Sequence, residues 1–142
     1  MTNSENTDDT IRLEKLRKKL FLEDSSFKKI EEYIDDLVKF AKIDNIGNVY
    51  FNIEISSKDK VLVYSIARFL AHKFNEKITE IIDVENVSIN CGIDKIQATA
   101  RLFDLKKEKY IISAERGKYQ FNRYKLENSL KYLKEKYGDV SE

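Results

Sequence analysis

The first part of the chain carries apolar residues at helical spacing. Leu13, Leu16 and Leu20 recur at intervals of three and four, which places them on one narrow stripe. This stripe predicts a helix over about residues 10–22, and the polar residues 1–9 before it predict a disordered tail. The stripe either packs on the rest of the domain or pairs two copies of the chain.

The next segments alternate between helical and strand periods. Residues 27–43 carry a wide apolar face and predict a second helix, followed by a turn at residues 44–48. Strict alternation over residues 49–55 predicts a half-buried strand, and the apolar face of residues 60–75 predicts a third helix. The β-branched residues 77–82 predict a short strand or an extended link.

Residues 83–122 hold the densest set of local signals. Asp83 is placed to begin a short helix, Gly92 to end it, and Asp94 to begin a longer one. Two β-prone segments follow, on either side of a charged turn at residues 115–117, and predict a hairpin.

A last helix is predicted over about residues 123–137. Its apolar positions alternate spacings of four and three, as in a coiled-coil seam. They are Leu126, Leu130, Leu133 and Tyr137. Like the stripe of the first helix, this seam is a candidate dimerisation surface, and packing on its own domain is the alternative.

Charge is unevenly spread along a chain whose formal net charge is only +1. Residues 94–125 hold nine Lys/Arg and four Asp/Glu, a local excess of +5, whereas residues 1–60 carry −2. Local positive charge is the electrostatic footprint expected of a nucleic-acid-binding surface. The alternative is a helix and hairpin that are rich in solvated lysine.

Other classes of protein fit the sequence poorly. The chain has 142 residues with one cysteine and one histidine, so we expect neither a disulfide nor a structural zinc site, and no cofactor. There is no phosphate-binding glycine loop and no nucleophile motif, so we do not expect an enzyme. Without a signal peptide or a long apolar run, the sequence predicts a cytoplasmic protein that does not enter membranes.

The order of a short helix, a glycine turn, a longer helix and a hairpin resembles the winged helix-turn-helix superfamily of DNA-binding proteins. The end of that family's second helix is matched by Val87, Ser88, Cys91, Gly92 and Ile93. The core positions of its recognition helix and first strand are matched by Ala98, Leu102, Leu105, Tyr110 and Ile111. The match makes Cys91 a core thiol rather than a reactive one.

One position departs from the pattern of the family. Lys109 stands where the family often has glycine before the strand, which implies a helix that ends without a left-handed glycine. The resemblance covers about residues 58–122. Residues 51–55, which run into residues 58–60, look like the corresponding part of archaeal winged helix regulators or chromatin proteins. It implies an α+β fold, mainly α: a winged helix with an N-terminal helical extension and extra strand over residues 10–57, and a C-terminal helix over residues 123–142.

The resemblance also implies which residues meet DNA. The recognition helix enters the major groove and the hairpin, or wing, touches the backbone or minor groove. The expected DNA contacts are Lys95, Gln97, Thr99, Arg101, Lys106, Arg116 and Lys118. Two alternatives stay open: Gln97 is used in a capping box, or Arg101 only pairs with Asp104 or Asp94.

The sequence therefore predicts a homodimeric protein that binds double-stranded DNA, as a transcriptional regulator or a nucleoid-associated protein. The alternative is a winged helix used for protein contact, as a subunit of a replication or transcription assembly. Asp94 and Asp104 favour this alternative, because carboxylates are unfavourable beside phosphate.

Overall fold

The computed structural model describes residues 3–22 and 29–138, and of residues 3–7 only the backbone. The fold is α+β and mainly helical, as predicted. Its elements are α1 (Asn3–Leu20), α2 (Ile30–Leu37), β1 (Ala41–Ile43), β2 (Val49–Phe51), α3 (Ser57–Phe74), β3 (Ile82–Asp83), α4 (Val84–Cys91), α5 (Lys95–Lys107), β4 (Ile111–Glu115), β5 (Lys118–Phe121), a 3-10 turn (Arg123–Lys125) and α6 (Leu126–Tyr137). Residues 3–9, expected to form a tail, lie in α1.

The second helix is shorter than the sequence predicted. It ends at Leu37, and the Ala41–Ile43 segment assigned to its last turns pairs antiparallel with Val49–Phe51. Asp44 stabilises the connecting turn, because its carboxylate accepts the backbone N–H of Asn48 at 2.9 Å. The predicted strand over residues 49–55 is likewise shorter, although its alternation of buried and exposed residues is present. The predicted helix start at residue 27 lies outside the described residues.

The second sheet has three antiparallel strands in the order β3-β5-β4. The hairpin predicted around residues 115–117 is confirmed, with Ile111 opposite Phe121 at its base. Of the segment 77–82, only Ile82 enters the sheet, where it faces Tyr119. Strands β4 and β5 follow α5 in the chain, and β4 contacts α5 whereas β5 contacts α3.

Helix α3 is the centre of the core. Nearly all of its positions between Val61 and Leu70 are buried, because α2, α4, α5, α6 and both sheets contact it. Apolar burial on this scale is the main stabilising term of such a domain. Within the described residues, no helix combines the length and apolarity that a membrane crossing requires.

The seam of α6 belongs to this core. Leu126, Leu130 and Leu133 are almost completely buried, and α6 packs on α2 and α3. Tyr137 is half-buried and its hydroxyl accepts the backbone N–H of Ser56 at 3.1 Å. The four seam residues therefore face their own domain, as in the alternative that the sequence left open, and they do not form an exposed dimer surface.

A buried arginine ties the first hairpin to the region that follows α3. Arg68 Nε donates to the carbonyl oxygen of Gly47 at 3.0 Å, and its Nη1 donates to that of Thr79 at 2.7 Å. Gly47 has φ of 98°, and a Cβ at this position would lie 2.9 Å from Arg68 Cζ. The turn thus requires glycine both for its backbone and for the space that Arg68 fills.

Replacing Gly47 with alanine is expected to lower the free energy of unfolding by about 2 kcal/mol, from backbone strain and displaced Arg68 hydrogen bonds. Urea unfolding measures the effect. Gly117→Ala is the matched control, because Gly117 also has a positive φ but no atom within 4 Å of the added Cβ. Equal losses in the two variants would show that Arg68 contributes nothing to the glycine requirement.

Candidate nucleic-acid interface

The turn between α4 and α5 fixes the direction of α5. Gly92 is left-handed, with φ of 65°, and its N–H donates to the carbonyl oxygen of Ser88 at 3.1 Å. The Ser88 hydroxyl donates to the carbonyl oxygen of Ile93 at 2.6 Å. Asp94 then caps α5 by accepting the Gln97 N–H at 2.7 Å. The predicted caps are confirmed, and the Ser88 hydroxyl closes the turn between the two helices.

The buried side of α5 is the predicted one. Ala98, Leu102 and Leu105 lie in the core. Because an α-helix has 3.6 residues per turn, the opposite side carries residues at spacings of four, three and four. They are Ile96, Ala100, Phe103 and Lys107, and we call them the outer ridge. Ile96 and Phe103 are 84% and 64% exposed.

The polar residues expected to contact bases border the outer ridge. Lys95, Thr99 and Lys106 follow one flank of α5, and Gln97 and Arg101 follow the other. The Gln97 side-chain amide has no hydrogen bond within the described part of the chain, so its capping interaction is confined to its backbone N–H. The sequence missed Ile96 and Phe103, although their positions opposite the buried face were available from helical spacing.

Several flank residues already have partners inside the chain. Arg101 Nε lies 3.3 Å from the Asp104 carboxylate, which is one of the pairings that the sequence left open. The Thr99 hydroxyl donates to the carbonyl oxygen of Lys95 at 2.8 Å, one turn back. The Lys95 ammonium group lies 3.7 Å from the Glu85 carboxylate on α4. The Lys95 and Thr99 contacts are exposed, so their stabilising contribution is small and a phosphate can replace it. The Arg101 Nε atom, by contrast, is buried and forms no hydrogen bond to any described residue in spite of its ion pair.

Three other cations have no such partner. Lys106 and Lys107 are exposed in the last turn of α5, where positive charge also suits the helix dipole. Arg116 is exposed at the tip of the hairpin, beside Gly117 with φ of 74°. Within the described residues, none of the three side chains forms an ion pair or hydrogen bond. The neighbouring Lys118 does, since its ammonium group lies 3.3 Å from the Glu115 carboxylate.

The end of α5 has no left-handed glycine, as the sequence indicated, but it does have a left-handed residue. Lys109 adopts φ of 69°, so the helix does end in a left-handed residue although that residue is not glycine. The Tyr110 N–H donates to the carbonyl oxygen of Leu105, and the Lys109 N–H to that of Lys106, both at 3.0 Å. This pair of hydrogen bonds is a Schellman motif. The motif directs the chain from α5 into β4.

Replacing Lys109 with glycine is expected to raise the free energy of unfolding by about 0.5 to 1 kcal/mol. The left-handed conformation costs a non-glycine residue about 1–2 kcal/mol, and the greater unfolded-state entropy of glycine offsets part of the gain. Thermal or urea unfolding measures this change in the free energy of unfolding. Lys109→Ala removes the same charge but retains Cβ, and it should not stabilise the protein. Equal stabilities of the two variants would contradict the strain argument.

The single histidine and the single cysteine have structural surroundings. His72 is half-buried, and its Nδ1 lies 2.8 Å from the carbonyl oxygen of Ile78. Cys91 is buried in the core, and burial raises the pKa of its thiol to about 12. The thiol is therefore protonated at neutral pH, which agrees with the core role predicted for it.

Known proteins provide no further guide to this surface. No family model, curated protein or solved structure matches the chain. The function of the interface must therefore be argued from the geometry and charge of its own residues.

Proposed function

We propose that residues 58–122 form a winged helix that binds double-stranded DNA, as a transcriptional regulator or nucleoid-associated protein. The order α3-β3-α4-α5-β4-β5 supports this proposal, because it supplies a helix pair joined by a tight turn and a following hairpin. In this proposal α5 is the recognition helix in the major groove, and the β4–β5 hairpin is the wing.

The observation that carries the proposal is the set of unpartnered cations. Within the described residues, Lys106, Lys107 and Arg116 are exposed without an intramolecular acceptor, on the two elements that would meet a duplex. Phosphate is a natural partner for such groups, and phosphate contacts orient a protein on DNA without selecting sequence. The paired side chains of Lys95, Arg101 and Lys118 would add to these contacts by exchanging a carboxylate for DNA.

The test is binding of the purified protein to labelled duplex DNA by fluorescence anisotropy at several salt concentrations. Each phosphate contact contributes about −0.9 to the slope of log K against log[salt], so three contacts per protomer give a slope of about −3. A folded protein that does not bind a duplex at low salt would overturn the proposal.

A protein-contact role is the second candidate, and the outer ridge favours it. Ile96 and Phe103 are exposed apolar residues on the outermost side of α5, and the Asp104 carboxylate beside them opposes phosphate. Aromatic and aliphatic residues of this kind anchor protein interfaces. Under this candidate the ridge binds its partner equally well at high and low salt, whereas DNA binding weakens steeply with salt.

We also propose that α1 pairs two copies of the chain. Leu13, Leu16 and Leu20 are exposed along one side of α1, and nothing in the described part of the chain covers them. Two-fold pairing is the common way for a small DNA-binding module to read a longer site.

Replacing Leu16 and Leu20 together with alanine is expected to weaken the dimer at least about tenfold, because each leucine side chain buries apolar area in both copies. Sedimentation equilibrium measures the dissociation constant. The matched control replaces Lys15 and Lys19 with alanine, which keeps the helix propensity but leaves the stripe intact. A leucine variant that dimerises like this control would exclude α1 as the interface.

A further inference from the structure

The outer ridge is an apolar strip inside a basic surface. Ile96, Ala100 and Phe103 follow one line along α5, and Lys107 continues that line. Lys95 and Lys106 border it on one flank, and Arg101, which is paired with Asp104, borders it on the other. Single exposed apolar residues are common on proteins. Here the two large ones share a ridge and are bordered by cations, which indicates a partner with apolar groups between two lines of negative charge.

The major groove of DNA has this arrangement. Phosphates line both of its edges, and the C5-methyl group of thymine is an apolar group on its floor. From Ile96 to Phe103 the helix rises about 10 Å, which corresponds to about three base-pair steps of duplex. A ridge of this length meets two or three neighbouring thymine methyl groups.

We propose that the outer ridge selects thymine-containing sites, with Phe103 and Ile96 in contact with the C5-methyl groups. This inference rests on the proposed DNA-binding function and adds a substrate class to it, namely duplexes rich in A·T pairs. In this arrangement the ridge contributes sequence preference, and the cations on both sides of it contribute position and affinity. Gln97, whose side-chain amide is uncommitted, is placed beside the ridge to pair with adenine.

The experiment compares one A·T-rich duplex with the same duplex in which deoxyuridine replaces every thymidine. The replacement removes only the methyl groups and leaves base pairing and phosphates unchanged. Because each methyl group buried on binding contributes about fourfold in affinity, two contacts predict a dissociation constant about fifteenfold higher for the deoxyuridine duplex. Fluorescence anisotropy at fixed low salt measures both constants.

Protein variants assign the effect to the ridge. Phe103→Ala should bind the thymidine duplex more weakly and should lose most of the discrimination between the two duplexes. Phe74→Ala is the matched control, because Phe74 is 71% exposed but lies at the end of α3, outside the outer ridge. This control should prefer the thymidine duplex over the deoxyuridine duplex by the same factor as the original protein.

The outcomes separate the inference from the function on which it rests. Equal affinity for the two duplexes, with salt-dependent binding intact, overturns thymine selection and leaves DNA binding standing. Discrimination that persists in Phe103→Ala also overturns it, because the ridge then does not read the methyl groups. Absence of duplex binding by the folded protein overturns both and makes the ridge a protein-contact surface.

Discussion

Replacing Asp59 with asparagine is expected to lower the free energy of unfolding by about 3 kcal/mol. Asp59 is completely buried in the first turn of α3. Its carboxylate accepts the Tyr132 hydroxyl at 2.8 Å and the Ser56 hydroxyl at 2.9 Å, and the Tyr137 hydroxyl donates to it as well. The Lys136 ammonium group lies 2.8 Å away. These bonds attach the end of α6 to the start of α3.

Asparagine cannot replace this acceptor. The carboxylate receives donors on both of its oxygen atoms, whereas asparagine offers one oxygen and an amide group that is itself a donor. At least one hydroxyl would then face another donor in a buried place, and Lys136 would lose its counter-charge. Lys136 is partly exposed, so most of the expected loss comes from the buried hydrogen bonds rather than from the ion pair.

Acid should remove the same stabilisation in the original protein. Burial alone would raise the pKa of Asp59, but the hydrogen bonds from Lys136, Tyr137, Tyr132 and Ser56 outweigh it and hold the pKa below its ordinary value. A carboxyl group with a lowered folded-state pKa stabilises the fold above its unfolded pKa of about 4. This stability is lost as the pH falls through the folded-state value.

Urea unfolding at neutral pH and at steps below about pH 4 measures both effects. The difference in the free energy of unfolding between the original protein and Asp59→Asn should be largest near neutral pH, and it should become smaller as the pH falls. Asp35→Asn is the matched control, because Asp35 is exposed on α2. If Asp59→Asn unfolds at the same urea concentration as this control, the network has no role in stability.

Local signals account for the parts of the fold that the sequence predicted well. The caps at Asp83, Gly92 and Asp94 depend only on backbone groups within a few residues. Their roles can therefore be predicted without knowledge of the rest of the fold. The same holds for the buried face of α5, which follows from helical spacing alone. At Lys109 the residue type indicated only that no left-handed glycine ends the helix, and it did not predict that the lysine itself adopts the left-handed conformation.

Contacts between residues that are distant in sequence determine the elements of the fold that were predicted less well. The pairing of Ala41–Ile43 with Val49–Phe51 depends on tertiary contacts, including the Val49 N–H that donates to Asn90 Oδ1 at 2.8 Å. The apolar seam of α6 is visible in the sequence, but its pattern is the same whether it packs on another copy or on α2 and α3. For the candidate interface, the cations could be predicted from residue type. The outer ridge could not, because isoleucine and phenylalanine are residue types expected in a core.

The largest effect on DNA binding is expected from replacing Lys107 and Arg116 together with alanine. Both side chains are exposed and have no partner within the described residues, so on binding they exchange only water for phosphate. Hydrogen bonds to charged groups contribute about 1.5–3 kcal/mol, so two lost contacts should raise the dissociation constant roughly a hundredfold. The salt slope should also become shallower by about two.

A matched control separates these contacts from a general loss of positive charge. Replacing Lys77 and Lys131 with alanine removes the same charge from exposed positions outside α5 and the hairpin. This control should keep the original salt slope and lose little affinity, because neither residue lies on the two elements that are proposed to contact the duplex. If the two double variants bind DNA alike, Lys107 and Arg116 do not contact phosphate, and α5 with its hairpin is not the DNA-binding surface. A loss confined to the Lys107 and Arg116 variant, with its unfolding transition unchanged, assigns the DNA contact to these two elements.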